Sequence, residues 1–370
     1  MSDDDLPESD RIEGAPRPRD VMSLIGQHKA ETDFLEAFNT GRLHHAWLIG
    51  GPRGVGKATL AWRITRFLLT TEDGGMFGPP EDISSPADHP VTRRINALAE
   101  PGVFICRRPW DPKTKRLKSA ITVDEVRKLK AFFTMSAADG GWRIAIVDAA
   151  EELNKSAANA LLKILEEPPA KAMILLVSHQ PAKLLPTIRS RCRLLRCEQL
   201  NADDLTAVLT QSGFESNNPQ ALAELSIGSP GDAIRLIAGD GLRIYSQIIA
   251  ILDRAPRFDR PALIALGDSC AARGNADHYD NVVTLISLAL VRLARFGAGV
   301  QMAEATANEQ AVFQKLSAGQ AQSRIWADLQ QQISGRIAHA RAVNLDPAQV
   351  ILDTFIKIET AAAKTLQLTA

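Results

Sequence analysis

The order of apolar and polar residues along the chain divides it into two parts. From Val21 to about Cys197, short continuous apolar runs alternate with segments in which apolar residues recur at helical spacing. That alternation is typical of an α/β domain with a parallel sheet, whose strands are covered by helices on both faces. The sequence predicts strands at residues 46–50, 102–106, 143–148, 172–178 and 193–197.

Beyond Cys197 the strand pattern disappears, and helical spacing continues to the end of the sequence. We therefore predict that the 370 residues contain several separate regions. They are a disordered, acidic and proline-rich lead at 1–20, the α/β domain at 21–197, a small helical domain at 198–242 and a larger helical domain at 243–370.

Composition places the chain among ordinary globular proteins. Hydrophobic residues make up 45% and charged residues 23%, and 43 basic side chains balance 43 acidic ones. A net charge of zero gives no overall attraction to nucleic acid or to an anionic membrane. The longest apolar stretch, residues 282–296, contains Arg292 and Arg295, which indicates a buried helix rather than a membrane span.

The cysteines and the N-terminus bear on the compartment. The chain has four cysteines, Cys106, Cys192, Cys197 and Cys270. They form no C-x-x-C pair and show no spacing typical of disulfides, which favours a reducing environment. The acidic first residues are the opposite of the basic and apolar regions of a signal peptide. We therefore expect a cytoplasmic protein.

Two segments of the α/β region are rich in turn-forming or charged residues. Residues 70–90 contain several Gly and Pro residues and are predicted to form a loop. Residues 107–119, RRPWDPKTKRLKS, carry many basic side chains and one Trp. A solvated hairpin is the favoured interpretation of this basic segment, and a DNA-binding patch is the alternative.

A nearly complete phosphate-binding loop follows the first predicted strand. Residues 51–59, GPRGVGKAT, match the pattern G-x-x-x-x-G-K-[ST] except at its last position, where Ala58 replaces the hydroxyl residue that ligates Mg²⁺. In such a loop the backbone N–H groups and the N-terminus of the following helix bind phosphate. Either Thr59 supplies the missing hydroxyl, or the loop has kept its shape without its ligand. The candidate nucleotide-binding residues are Gly51, Gly54, Gly56, Lys57, Thr59 and Asp148.

A second nucleotide-binding element is a strand that ends in an Asp, which holds Mg²⁺ beside the phosphates. The predicted strand 143–148 provides Asp148. Active ATPases of this class usually place a Glu next, to polarise the attacking water, but Ala149 stands there. Glu151 and Glu152 lie farther along and are interpreted as solvated residues at the start of a helix. The hydroxyl and the water-activating carboxylate are therefore both replaced by Ala.

A third element, residues 187–192 with the sequence TIRSRC, precedes the last predicted strand. An arginine near a strand end is either a surface charge or a finger that reaches the γ-phosphate of another subunit. Because arginine is common at protein surfaces, composition alone favours the surface charge for Arg191.

Several longer stretches together resemble the clamp-loader ATPases of the AAA+ superfamily. They are LHHAWLIGGPRGVGK (43–57), ITVDEVRKLKAFF (121–133), DAAEELNKSAANALLKILEEPP (148–169) and LLVSHQPAKLLPTIRSRC (175–192). The resemblance is strong over 21–197, weaker over 198–242, and rests only on helical character beyond. The combination of SRC with NALLK and LEEPP is specific, whereas the phosphate loop alone is not.

The resemblance implies an AAA+ P-loop-type α/β domain, a small helical lid domain and an all-α C-terminal collar domain. It implies that Arg191, in the motif formed with Ser190 and Cys192, is an arginine finger offered in trans to a neighbouring gamma/tau motor subunit. It assigns the first sensor position to Ser178 or His179.

The resemblance also shows what this sequence lacks. The second sensor motif of active members reads Gly-Ser-x-Arg-Asp-Ala, and here Gly231 replaces the sensor arginine, with Arg235 one turn farther on. Members commonly carry a four-cysteine zinc module between the loop and the Asp strand, but only Cys106 lies in that interval, and His89 cannot complete a site. We predict no zinc and no required cofactor, with ATP and Mg²⁺ bound, if at all, without hydrolysis.

The function implied is that of a non-motor subunit, or stator, in the clamp loader of the bacterial replicative DNA polymerase. Such a chain would be part of a DNA-directed DNA polymerase (nucleotidyltransferase) holoenzyme without being an ATPase by itself. The implied partners are the gamma/tau and delta subunits in a hetero-pentamer and, through the complex, the sliding clamp and primer–template DNA, with no membrane.

Two alternatives remain. One is an active ATPase of the gamma/tau motor type, in which Thr59 and Glu151 restore the lost roles. The other is a P-loop kinase or another small-molecule enzyme, against which the helical C-terminal half argues, because it has no clustered His, Asp or Cys residues for a substrate.

Overall fold

The computed structural model describes residues 8, 11–12, 14–71, 78–134, 141–272 and 276–368. They form two units. The first contains Met1–Gly213 and Ser229–Gly231, and the second contains Phe214–Gly228 and Asp232–Ala370. The finer division at 197 and at 242 stays a prediction.

The first unit is built on a parallel sheet. The strands of this unit, in chain order, are β1 Ala46–Gly50, β2 Val103–Arg107, β3 Trp110–Asp111, β4 Arg116–Leu117, β5 Arg143–Asp148, β6 Ala172–Ser178 and β7 Arg193–Arg196. Five of them form the parallel sheet in the order β2-β5-β6-β1-β7, and β3 and β4 form a separate hairpin. The central strands β1 and β6 are buried along their whole length, as expected for strands covered on both faces. The predicted sheet strands are confirmed, each to within one residue at either end.

Helices cover both faces of this sheet. They are α1 His28–Asn39, α2 Lys57–Thr70, α3 Pro90–Asn96, α4 Val123–Thr134, α5 Lys155–Glu166, α6 Pro186–Arg189 and α7 Ala202–Gln211. Successive residues of β1 point to opposite faces. Trp47 therefore packs with Phe34 and Phe67 in one core, whereas Leu48 packs with Leu161 in the other. Of the loop predicted at 70–90, residues 72–77 lie outside the described residues.

The described end of the predicted lead segment packs against this unit. Arg19 is only 2% exposed, and its guanidinium pairs with the Glu8 carboxylate. The buried guanidinium of Arg66 donates hydrogen bonds to the carbonyl oxygens of Arg19 and Val21, at 2.7 and 2.6 Å. Glu8 and Arg19, which the sequence assigns to a disordered lead, are therefore held by buried polar contacts.

The second unit is helical throughout its described residues. Its helices are α8 Pro219–Ser226, α9 Pro230–Ala238, α10 Gly241–Asp253, α11 Arg260–Ala271, α12 Ala276–Gly297, α13 Glu309–Leu316, α14 Gln320–Ala342 and α15 Pro347–Gln367. Helix α12 packs along α14, and α11 packs along α15. The predicted fold class is confirmed: an α/β domain with a parallel P-loop-type sheet is followed by helices. Nowhere in the described ranges is a helix long and apolar enough to cross a membrane.

Arg292, predicted to lie in a buried helix, is itself buried at 3% exposure within α12. Its guanidinium contacts both carboxylate oxygens of Glu309, at 2.8 and 3.0 Å, and the Glu224 carboxylate at 2.9 Å. The Tyr245 hydroxyl also donates to Glu309. Burial by itself would lower the pKa of Arg292, but the hydrogen bonds and charge of Glu309 outweigh it and raise that pKa. The interior of the helical unit thus contains a fully paired charge cluster.

Candidate functional site

The phosphate-type loop lies where the sequence predicts it. Strand β1 ends at Gly50, the loop follows, and helix α2 begins at Lys57. Gly56 has a φ of 99°, a conformation that favours glycine. The buried amide of Gln27 donates to the loop carbonyl of Val55 at 3.1 Å and to the carbonyl of Glu198 at 2.8 Å. These two hydrogen bonds connect the loop to the segment that follows β7, and no sequence pattern indicated them.

Residues Ser229–Gly231, which cluster with the first unit, lie directly against this loop. The Ser229 hydroxyl donates to the carbonyl oxygen of Arg53 at 2.8 Å, and the Gly231 N–H donates to the carbonyl oxygen of Gly54 at 3.0 Å. A Cβ atom added at Gly231 would lie 2.8 Å from the Gly54 Cα and 2.9 Å from a side-chain carbon of Ile12. The chain's own backbone therefore packs directly against the loop at Arg53 and Gly54.

This close approach gives a physical reason for the glycine at the second sensor position. Any side chain at position 231 would collide with the backbone of Gly54, so an arginine cannot stand there in this arrangement. Arg235, the nearby candidate for compensation, pairs with Asp232 at 2.6 Å. The absence of a side chain at position 231 and its close packing against Gly54 thus go together.

The side chain of Lys57, the lysine of the phosphate-type loop, is hydrogen-bonded to the backbone of that loop. Lys57 is 3% exposed, and its ammonium donates to the carbonyl oxygen of Pro52. Burial lowers the pKa of this ammonium to about 8, although the nearby carboxylates of Asp148 and Glu151 act in the opposite direction. The lysine is consequently held in a site that disfavours its charge.

The candidate metal-binding and water-activating positions lie beyond β5. Asp148 ends the strand at 8% exposure, and Ala149 follows it, buried. Glu151, predicted to be solvated, instead accepts a hydrogen bond at 2.8 Å from the N–H of His179, at the end of β6. Its carboxylate therefore fixes the first sensor segment, in which Ser178 is fully buried.

The structure separates Arg191 from the loop of its own chain. Strands β1 and β7 run parallel, with Trp47 beside Arg193 and Gly50 beside Arg196. Arg191 precedes β7 at the amino edge of the sheet, whereas the phosphate loop leaves β1 at the carboxyl edge. The two edges lie about 10 Å apart along strands of this length. Arg191 is thus poorly placed to act on its own loop.

Arg191 forms contacts with its own chain. Its guanidinium pairs with Glu166 of α5 at 2.8 Å and donates to the carbonyl oxygen of Thr187 at 3.0 Å. The side chains of both Arg191 and Glu166 are more than a third exposed. The neighbouring Ser190 hydroxyl also donates to Thr187, and burial raises the pKa of the Cys192 thiol to about 12. Of these three residues, Arg191 is the one that carries a charge, and its side chain is partly exposed.

Comparison with known proteins supplies a family. Residues 26–201 match the family described as "DNA polymerase III, delta subunit". These are 176 of the 370 residues, slightly less than half of the chain. The subunit delta' of DNA polymerase III from Pseudomonas aeruginosa is 35% identical over 202 residues, which are 54% of this chain and 57% of that protein. The Escherichia coli K12 subunit delta' is 33% identical over 234 residues, 62% of this chain and 65% of that protein.

The gamma and tau subunits of DNA polymerase III are similar to this chain as well. The DNA polymerase III subunit gamma of Buchnera aphidicola is 29% identical over 227 residues, 60% of this chain and 58% of that protein. The chain thus spans less than two thirds of the length of each of these relatives. The resemblance to clamp-loader subunits is confirmed, and it does not by itself separate a stator from a motor.

The predicted absence of zinc stays a prediction. Cys106 is fully buried in β2, and burial raises the pKa of its thiol to about 12. The His89 ring accepts a hydrogen bond from the N–H of Val91 at the start of α3. Within the described ranges, no group of three or more His, Cys, Asp or Glu side chains is arranged to hold a metal ion.

Replacing Lys57 with Met is expected to stabilise the protein at pH 7 by about 1–2 kcal/mol. Folding lowers the pKa of Lys57 from 10.5 to about 8, so its charge costs stability below pH 8, and the cost disappears as the pH rises toward 10.5. The difference corresponds to about 3 kcal/mol, less the hydrogen bond to Pro52 that Met cannot make. Guanidinium denaturation at pH 7 measures the change.

Lys57→Met should also lack the increase in stability that the wild type shows as the pH rises from 8 to 10. Lys29→Met, on the exposed face of α1, is the matched control and should change stability by less than about 0.5 kcal/mol. A clear loss of stability in Lys57→Met at pH 7 would show that the ammonium is well accommodated.

Proposed function

We propose that this chain is a non-motor, delta-prime-like subunit of a DNA polymerase III clamp loader. The observation that carries the proposal is the close packing of Ser229 and Gly231 against the phosphate loop, in which the carbonyl oxygens of Arg53 and Gly54 accept their hydrogen bonds. These contacts leave no room for a side chain at position 231, where active members carry the sensor arginine. The protein would assist ATP-dependent loading of the sliding clamp while its partners hydrolyse the ATP.

Three replaced side chains support the same proposal. ATP hydrolysis needs metal-bound phosphates and a positioned water. Ala58 lacks the hydroxyl that ligates the metal, Ala149 lacks the carboxylate that activates water, and Gly231 lacks the sensor guanidinium. Each loss affects a different part of one catalytic unit, so restoring a single part would not recover turnover.

We propose that Arg191 acts in trans as an arginine finger. It stands on a short helix–strand junction at the edge of the sheet, far along the strands from its own phosphate loop. Its guanidinium is exposed and always charged, and its planar fork meets phosphate oxygens in two places. The motor subunit next to this chain would receive it.

The proposed partners are gamma/tau and delta subunits, with the helical region 243–370 as the assembly element, or collar. Helix α10 begins at Gly241, so a truncation after Leu242 would cut this helix and expose its buried residues. Assembly is therefore best measured with the full chain. If the chain failed to co-elute with gamma/tau and delta from a sizing column, the partner proposal would be wrong.

The active-motor alternative meets a specific difficulty in the structure. Glu151, the residue that would replace the water-activating carboxylate, accepts a hydrogen bond from the backbone of His179. Thr59 would also have to supply the hydroxyl from one position farther along α2. The kinase alternative has no support in the described residues of the helical unit, where the charge cluster around Arg292 is buried and paired.

The purified chain, assayed with DNA and clamp but without its partners, is expected to hydrolyse ATP at no more than the background rate. A gamma/tau subunit assayed in parallel is the positive control. Turnover above background that disappears in Lys57→Ala would refute the stator proposal in favour of the motor alternative. Turnover that persists in Lys57→Ala would indicate a contaminating ATPase.

A further inference from the structure

The β3–β4 hairpin has no role in the function proposed above. Its strands Trp110–Asp111 and Arg116–Leu117 enclose the turn 112–115. Trp110 and Leu117 stand opposite each other and are half-buried, so they form the apolar contact of the hairpin. The solvated hairpin predicted from the sequence is present, and the question is what its charges do.

The cations at the base of the hairpin are neutralised within the first unit. Arg107 pairs with Glu8 at 3.3 Å, and Arg108 pairs with Glu152 at 2.8 Å. The N–H of Lys118 donates to the carbonyl oxygen of Pro109 at 2.9 Å and closes the base. These contacts fix the direction in which the hairpin leaves the sheet.

The cations at the tip are not neutralised in this way. Lys113, Lys115 and Arg116 are exposed, and across the described residues none of them forms an ion pair with a carboxylate. The carboxylate of Asp111 accepts a hydrogen bond from the N–H of Lys113 at 2.9 Å, so it builds the turn. That hydrogen bond lowers the pKa of Asp111. Lys115 has a φ of 51°, a conformation that favours glycine, so the turn itself does not require a lysine at this position.

We propose that this tip, residues 113–116, contacts the phosphate backbone of duplex DNA. It concentrates three positive charges in four residues, and duplex DNA presents one negative charge per about 1.7 Å of its axis. A two-stranded β-ribbon also fits the width of the major groove. Because the whole chain has no net charge, the contact would be local to the hairpin.

The chemistry of the tip favours DNA over an acidic protein. Protein interfaces usually depend on large apolar or aromatic anchors at their centre. In the described segment 107–119, no large apolar residue is among the strongly exposed ones, and Trp110 and Leu117 pair with each other. A phosphate backbone, in contrast, needs charge without an apolar anchor. The inference does not depend on Arg191 or on the state of the nucleotide site.

Fluorescence anisotropy of the full chain with a labelled DNA duplex, across a sodium chloride titration, tests the proposal. The tip variant changes Lys113, Lys115 and Arg116 to Gln. The matched control changes three exposed cations elsewhere in the first unit to Gln: Lys29, Arg42 and Arg93. We expect the tip variant to bind at least about tenfold more weakly at low salt, and its log–log salt slope to fall by about 2–3. The control should stay within about twofold of the wild type.

Three results would overturn the proposal. They are the absence of salt-dependent duplex binding by the wild type, equal losses in the tip and control variants, and an unchanged slope in the tip variant. Circular dichroism of each variant establishes that it is folded. If the tip variant keeps duplex binding but fails to join gamma/tau and delta on a sizing column, the tip contacts an acidic protein surface instead.

Discussion

In a reconstituted clamp loader, replacing Arg191 with Ala is expected to slow ATP hydrolysis at the one motor site it faces by about 10³–10⁵-fold. Charge accumulates on the γ-phosphate oxygens in the transition state, and a guanidinium placed there stabilises it by about 4–7 kcal/mol. Arg191→Lys should recover only part of the rate, because an ammonium lacks the planar fork. Single-turnover hydrolysis resolves one slow site among the fast ones.

The free chain holds Arg191 against Glu166, so the finger must change partners on assembly. Because both side chains are more than a third exposed, that ion pair is worth at most about 1 kcal/mol. The exchange is therefore cheap beside the stabilisation gained at a γ-phosphate. Glu166→Gln should leave the rate of ATP hydrolysis within a few-fold of the wild type. That result would show that the ion pair with Glu166 is not needed for Arg191 to act as a finger.

Arg189→Ala, an exposed arginine two residues away, is the matched control for Arg191→Ala and should leave hydrolysis unchanged. Lys57→Ala should also leave the assembled loader working, because under the stator proposal this chain's loop does not hydrolyse ATP. If Arg191→Ala loaders hydrolyse ATP and load clamps at the wild-type rate, Arg191 is a surface residue paired with Glu166.

The second large effect concerns stability. Arg292→Ala is expected to lower the free energy of unfolding of the helical unit by about 3–5 kcal/mol, since it leaves Glu309 buried without its partner. Hydrogen exchange in α12 and guanidinium denaturation followed by circular dichroism report this loss. Arg295→Ala, an exposed arginine on the same helix, should change stability by less than about 0.5 kcal/mol.

The double variant Arg292→Met with Glu309→Met distinguishes the cost of leaving a buried charge unpaired from the cost of lost packing. If the cost of Arg292→Ala comes from the unpaired carboxylate, removing both charges should destabilise the unit less than removing the arginine alone. A double variant that is as unstable as the sum of the single ones would place the cost in lost packing instead.

Local patterns were sufficient to predict the sheet and the position of the phosphate loop. Each central strand is a continuous apolar run, and the loop motif is contiguous in sequence, so both could be recognised without tertiary information. The glycine at position 231 was also visible as a departure from the pattern of active members. Its cause was not visible, because the contact joins Gly231 to Gly54, which is remote in sequence.

The paired charges were the features that periodicity could not supply. Helical spacing predicted a buried helix around Arg292, yet the partners of that arginine are 17 and 68 residues away. Glu151 was expected to be solvated, but its carboxylate accepts a hydrogen bond from the N–H of His179, which directly follows the neighbouring strand β6. Such contacts follow from how the elements pack, which single-sequence patterns do not specify.

Titration calorimetry of ATP with Mg²⁺ into the isolated full chain tests the stator proposal most directly, with a gamma/tau subunit as the positive control. Lys57 is hydrogen-bonded to the Pro52 carbonyl oxygen and Ala58 cannot ligate Mg²⁺, so we expect no saturable binding, which means a dissociation constant weaker than about 1 mM. Saturable binding in the micromolar range that is lost in Lys57→Ala, together with ATP turnover by the same isolated chain, would contradict the stator proposal and favour the active motor.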